Sequence, residues 1–85
     1  MRARRTDENL IAIVEIARKA GFLVHVTNGD WDLTVQLGTR HEIWEVKSPK
    51  GRPTARQEEL REQGWCIRTI RTAEDVLRAL ERMKL

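Results

Sequence analysis

WDLTVQLGTRHEIWEVK, residues 31–47, sets the architecture. Trp31 to Leu37 and His41 to Lys47 each alternate apolar and polar residues with period two, the pattern of a half-buried strand. Gly38-Thr39 between them, with glycine first, suits a two-residue type II′ turn, so the two runs close as a β-hairpin. With that loop Leu37 faces Arg40. Counting back along both strands then sets Asp32 opposite Glu45 on one face, with Cβ atoms about 4.5 to 5.5 Å apart. Lys47, two residues beyond Glu45, projects from the same face. The other face carries Trp31, Leu33, Val35 and Leu37 against Trp44 and Val46, enough apolar area to pin the register.

Upstream, Thr6 is placed to cap a first helix, with Asp7 and Glu8 in its first turn, Leu10, Ile13, Val14 and Ala17 on its apolar face, and Gly21 as its stop. Phe22 to Val26 reads as a short strand, followed by turn chemistry at Thr27-Asn28-Gly29-Asp30. Downstream, Ser48 to Pro53 reads as a loop, and Thr54 can cap a second helix running to about Gln63, with Gly64 beyond it. Trp65 to Ile70 reads as a last strand, with Trp65 and Cys66 in the core. Thr72 caps a third helix whose face is Ala73, Val76, Leu77, Leu80 and Met83. The order αβββαβα predicts an α/β (α+β) fold, a mixed four-stranded sheet flanked by helices.

Eighty-five residues make one domain. Sixteen Lys and Arg against thirteen Asp and Glu give a charge of +3, which permits an anionic partner, and Arg outnumbers Lys twelve to four. A single cysteine, Cys66, excludes an internal disulfide framework and fits a reduced, intracellular setting, cytoplasmic or viral. The apolar run Leu10 to Val14 is too short for a membrane span, so no membrane partner is expected. So small a chain commonly needs a metal or an oligomer, and a homodimer is expected, with Trp31 and Trp44 first among interface candidates. His25 and His41 lack partners at ligand spacing and read as structural. Arg61, Arg68, Arg71, Arg78 and Arg82 read as solvating outer faces or pairing with acids.

Two facing carboxylates repel, so either one takes up a proton or a divalent cation bridges them, and oxygen ligands suit Mg²⁺ or Mn²⁺. On that basis, removing either charge should leave the fold intact or slightly more stable. By spacing alone an ordinary amphipathic hairpin, with Lys47 neutralising the acids, stands equally well.

The stretches Gly29-Asp30-Trp31-Asp32, Glu45-Val46-Lys47 and Pro53-Thr54-Ala55-Arg56-Gln57 together resemble the PD-(D/E)XK nuclease superfamily, and within it the VRR-NUC (virus-type replication-repair nuclease) family. The likeness spans nearly the whole chain, with Trp31 standing where that family usually has Pro. It implies a restriction-endonuclease-like core and a metal-dependent endonuclease acting on DNA, duplex or branched, such as Holliday junctions. It implies further that Asp32, Glu45 and the Val46 carbonyl hold the cation, Lys47 acts on the attacking water or the transition-state charge, and Gln57 completes the site from the second helix. Gln57 can equally cap that helix from its third position. A first-helix glutamate is implied as well, with Glu8 favoured over Glu15, which has Lys19 at intrahelical ion-pair spacing. Lys50, Arg52 and Arg56 would grip DNA phosphates. A catalytically weak nucleic-acid-binding module of the same fold is the alternative, and an RNA nuclease on the same scaffold is a third reading.

Overall fold

The computed structural model describes residues 8–27, 29–48 and 50–84. The expected first-helix cap at Thr6-Asp7, Asn28 of the first turn and Pro49 of the loop lie outside them. The elements run α1 (Glu8–Lys19), β1 (Leu23–Val26), β2 (Leu33–Leu37), β3 (Arg40–Val46), α2 (Ala55–Glu62), β4 (Ile67–Ile70) and α3 (Ala73–Met83). The four strands lie in the order β1-β2-β3-β4, antiparallel across the first two junctions and parallel between β3 and β4. This is the α+β architecture that the hydrophobic periods imply.

The hairpin register is the expected one, Leu37↔Arg40 through Leu33↔Trp44. Gly38 supports it at φ +64, a conformation that suits the first position of a two-residue hairpin turn and that a side chain would strain. Period-two alternation then divides the sheet. Leu33, Val35, Trp44 and Val46, with Ile70 of β4, face Ile13, Val14 and Ala17 of α1 and Val76, Ala79 and Met83 of α3 in one buried cluster. Trp44 is wholly enclosed and meets Phe22 edge-on at 5.3 Å. On the other face Ile43, Glu45, Ile67 and Thr69 share a side by the parallel register, and α2 contributes the buried Leu60 and Gln57.

Both later helices begin with a capping box, Thr54 with Gln57 and Thr72 with Asp75. After α2 the chain stops in paired bonds, Gly64 N–H to Arg61 O (3.0 Å) and Trp65 N–H to Leu60 O (3.1 Å).

Several expectations are corrected. Trp65 is 49% exposed, and Cys66 is exposed too, because the β3–β4 ladder starts only at Ile43↔Ile67 and both residues precede it. Trp31 is not on the core face. It precedes β2, donates its indole N–H to Thr34 Oγ1 and tilts against Trp65 at 5.8 Å. Trp44, being enclosed, cannot line an interface. Leu77 is 52% exposed, and the buried stripe of α3 runs instead through Val76, Ala79 and Met83. His25 and His41 stand exposed on their strands. Among the described residues no helix is long and apolar enough to cross a membrane.

One polar clamp closes the core at its rim. Arg82 of α3 forks onto Glu42 with Nε to Oε2 and Nη2 to Oε1, both 2.8 Å, and Trp44 Nε1 donates to Oε1 at 2.9 Å. Burial pushes the Glu42 carboxyl up, but the bonds from Arg82 and Trp44 and the charges of Arg82 and Arg68 outweigh it and hold it below its usual 4.5. A depressed carboxyl stabilises the fold above its unfolded pKa and loses that contribution as pH falls through the folded one. Urea unfolding from about pH 6 down to pH 3 should therefore show a steeper acid loss in the native chain than in Glu42→Gln. Equal losses would contradict the clamp.

Candidate active site

Asp32 meets β3 where β2 has ended and β3 continues. Asp32 stands one residue before β2, and its N–H donates to Trp44 O (3.1 Å), one place out of register with the ladder. Asp32 is thus not a ladder partner of Glu45. Instead its Oδ2 accepts the Val46 N–H at 2.7 Å, the bond that a further β2 residue would otherwise make. Backbone groups alternate sides along a strand. The Val46 carbonyl therefore points, like its N–H and like Trp44 O, towards the vacated side where Asp32 sits.

Glu45 has no exposed surface (0%). Its Oε1 accepts from Arg61 Nη2 at 2.7 Å and from Thr69 Oγ1 at 3.0 Å. Its Oε2 is buried without a hydrogen-bond partner. The counter-charge that two facing acids would need comes from Arg61 of α2, not from Lys47. Arg61 is one of the dispersed arginines expected to solvate outer faces or pair with acids, and it does the latter. No local signal marks it, because it lies 16 residues from Glu45 and meets it only when α2 crosses the sheet.

Lys47 is half-buried, and its ammonium has no hydrogen bond or ion pair among the described residues; its backbone N–H donates to Ile70 O at 3.1 Å. The loop passes close beneath it, for a Cβ built on Gly51 would stand 3.2 Å from Lys47 Cβ, so a side chain at Gly51 would press directly on the lysine. Arg71 holds this loop by donating from Nη1 to Ser48 O (2.8 Å) and Gly51 O (2.7 Å).

Gln57 is buried and forms the capping box, its Oε1 accepting Thr54 N–H at 2.9 Å. Lys50 and Arg52 are exposed on the loop. Arg56 is exposed but already paired, to Glu59 at 2.8 Å and Asp30 at 3.4 Å, and the bonds from Glu59 and then Asp30 raise its pKa further. At the start of α1, Asn9 Nδ2 donates to Lys47 O (2.8 Å) and Arg71 O (3.3 Å), which brings that helix end to the site. Glu8, exposed beside Asn9, is at this end. Glu15 is about 10 Å further along the helix axis and forms no ion pair with Lys19.

Among the described residues no three carboxylate, thiol or imidazole groups cluster as a metal centre. A cation here would draw on two carboxylates and a carbonyl, the sparse oxygen set that suits Mg²⁺ completed by water and substrate phosphate. One observation fits it directly. A fully buried carboxylate keeps one oxygen without a donor, which costs free energy unless something else completes it. No protein-family model and no curated protein matches this sequence.

The pairing with Arg61 reverses the expected effect of charge removal. Arg61→Met leaves a buried carboxylate uncompensated and should cost about 3–5 kcal/mol in urea unfolding. Arg61→Met with Glu45→Gln should recover much of that loss, whereas strictly additive losses would show that the pair is not coupled.

Proposed function

We propose that the chain is a divalent-metal-dependent endonuclease that hydrolyses phosphodiester bonds in DNA, built on the restriction-endonuclease-like core of the VRR-NUC type. The observation that carries this reading is the buried Glu45 carboxylate with Oε2 unpartnered, two residues from a lysine whose ammonium is free among the described residues.

Asp32, Glu45 and the Val46 carbonyl would hold Mg²⁺ or Mn²⁺. When bound, the cation lowers the pKa of the attacking water and offsets negative charge in the transition state. The chain supplies the rest. Lys47, half-buried and with its Cβ beside the loop at Gly51, would offer a positive charge to the attacking water or the phosphoryl oxygens. Lys50 and Arg52 would offer exposed charges to neighbouring phosphates, while the charge of Arg56 is already partly met by Asp30 and Glu59. Gln57 would serve from the α2 start, and Glu8 from the start of α1. Branched DNA such as a Holliday junction is the substrate we favour, cut by a homodimer that presents two sites.

One observation favours the second reading, a binding module without turnover: Glu45 is already charge-paired to Arg61. Incubating the chain with four-way junction, flap, duplex and single-stranded DNA, and with RNA, each with and without Mg²⁺ or Mn²⁺, separates the two. Cleavage should require the cation and be abolished in Asp32→Asn and Glu45→Gln, and sedimentation should show a dimer. Cleavage that persists in EDTA would overturn the metal assignment, and binding without cleavage would favour the module.

Lys47→Ala should lower the rate by about 10²-fold or more with DNA affinity nearly unchanged. Lys50→Ala and Arg52→Ala should instead weaken binding across all sequences and reduce the salt slope by about one unit each. Weaker DNA binding with full turnover at saturation in Lys47→Ala would make the lysine a phosphate clamp.

A further inference from the structure

Glu42 and Glu45 are each held by an arginine, and they are held differently. At Glu42 the Arg82 fork engages both oxygens, Nε on Oε2 and Nη2 on Oε1, each at 2.8 Å. At Glu45 the Arg61 guanidinium touches only Oε1, at 2.7 Å, and turns its remaining reach to the backbone, with Nε and Nη2 both donating to Ile67 O at 3.2 and 2.9 Å. Thr69 Oγ1 accepts from the same Nη2 (3.0 Å) and donates to the same Oε1 (3.0 Å), closing a three-membered ring of bonds around one oxygen. Oε1 thus has two donors while Oε2, equally buried, has none. A bidentate fork is available to an arginine–carboxylate pair, and the Glu42 clamp shows that this chain uses it. The lopsided arrangement at Glu45 therefore needs its own reason.

We propose that Arg61, with Thr69, is a positioning residue: it fixes the Glu45 carboxylate by Oε1 and thereby presents Oε2 alone, in one orientation, to a divalent cation. This rests on the reading of Asp32 and Glu45 as cation ligands. The hydrogen bonds that hold a ligating carboxylate set its direction, and without them a buried side chain can rotate away from the ion. Arg61 is suited to the task because it is itself anchored. Its two bonds to the Ile67 carbonyl tie it to β4, and only 29% of its side chain is exposed. That tether argues against a mobile stand-in that occupies the cation's place and leaves when the cation arrives. The two roles predict opposite signs, since removing a competitor tightens cation binding and removing a support loosens it.

The test is Mn²⁺ binding measured by calorimetry on the protein alone, with circular dichroism confirming the fold of each variant. The native chain should bind Mn²⁺ at a site that Asp32→Asn and Glu45→Gln each abolish. Arg61→Lys keeps a positive charge but is one bond shorter and lacks the second nitrogen, Nε, that also holds Ile67 O, and should bind about 10- to 100-fold more weakly, the range usual for lost outer-shell partners. Arg61→Met should do the same, and Thr69→Val should weaken binding in the same direction without touching the charge. Should Arg61→Met fail to fold, Arg61→Lys and Thr69→Val decide. In cleavage assays the Mn²⁺ concentration for half-maximal rate should rise by the same factor, while the rate at saturating Mn²⁺ stays within a few-fold of native. Unchanged or tighter Mn²⁺ binding in the Arg61 and Thr69 variants overturns the positioning role and leaves the cation reading standing. Failure of the native chain to bind Mn²⁺, or binding that survives both Asp32→Asn and Glu45→Gln, overturns the cation reading and this inference with it.

Discussion

The two-residue turn at Gly38-Thr39 is the constraint on which the rest of the molecule depends. A hairpin side chain has only two directions, so fixing Leu37 opposite Arg40 fixes the parity of every residue on β2 and β3. That parity sends Leu33, Val35, Trp44 and Val46 to α1 and α3, and it sends Glu45 to the other side, under α2. A register slip by one would trade a carboxylate for Trp44 in the main core. The charge that the correct register leaves on the α2 face must then be met by α2 and β4, which is where Arg61 and Thr69 come from.

What was legible in the residues is what depends on neighbours in sequence. The strands of the hairpin, its turn and the Thr54 and Thr72 caps all follow from period-two spacing and local backbone chemistry, whereas the expected pairing of Asp32 with Glu45 fails because the ladder ends at Leu33. Arg61 on Glu45 and Arg82 on Glu42 were not legible, because they join residues 16 and 40 places apart and depend on how helices cross the sheet. Trp65 was misread for a related reason. An apolar residue before a strand is buried only if the ladder reaches it, and the parallel pairing of β4 begins two residues later. Leu77 shows the same limit on a helix, where a broad apolar stripe leaves open which edge of it meets the sheet.

Aspartate 32 illustrates how an ending can be put to use. An antiparallel ladder that stops leaves an unmatched N–H and carbonyl on the longer strand, and these must find partners. Asp32 takes the N–H of Val46 with a side-chain oxygen, which leaves the carbonyl on the same side as a carboxylate. The strand end thus gathers oxygen atoms in one place with no dedicated loop to carry them. Polar groups that elsewhere would be matched within the sheet are met at its margin by a side chain.

The bonds from Asn9 to the carbonyls of Lys47 and Arg71 span 38 and 62 residues of chain. Closing loops of that length costs entropy before any contact rewards it, so these two tethers are costly ones for the chain to close. The β2–β3 hairpin can form from its own turn, whereas the β3–β4 pair must wait for the crossover through α2, and the α1 tether must wait for both. The end of the sheet beside Asp32 is thus the part of this fold that depends most on contacts between residues far apart in sequence.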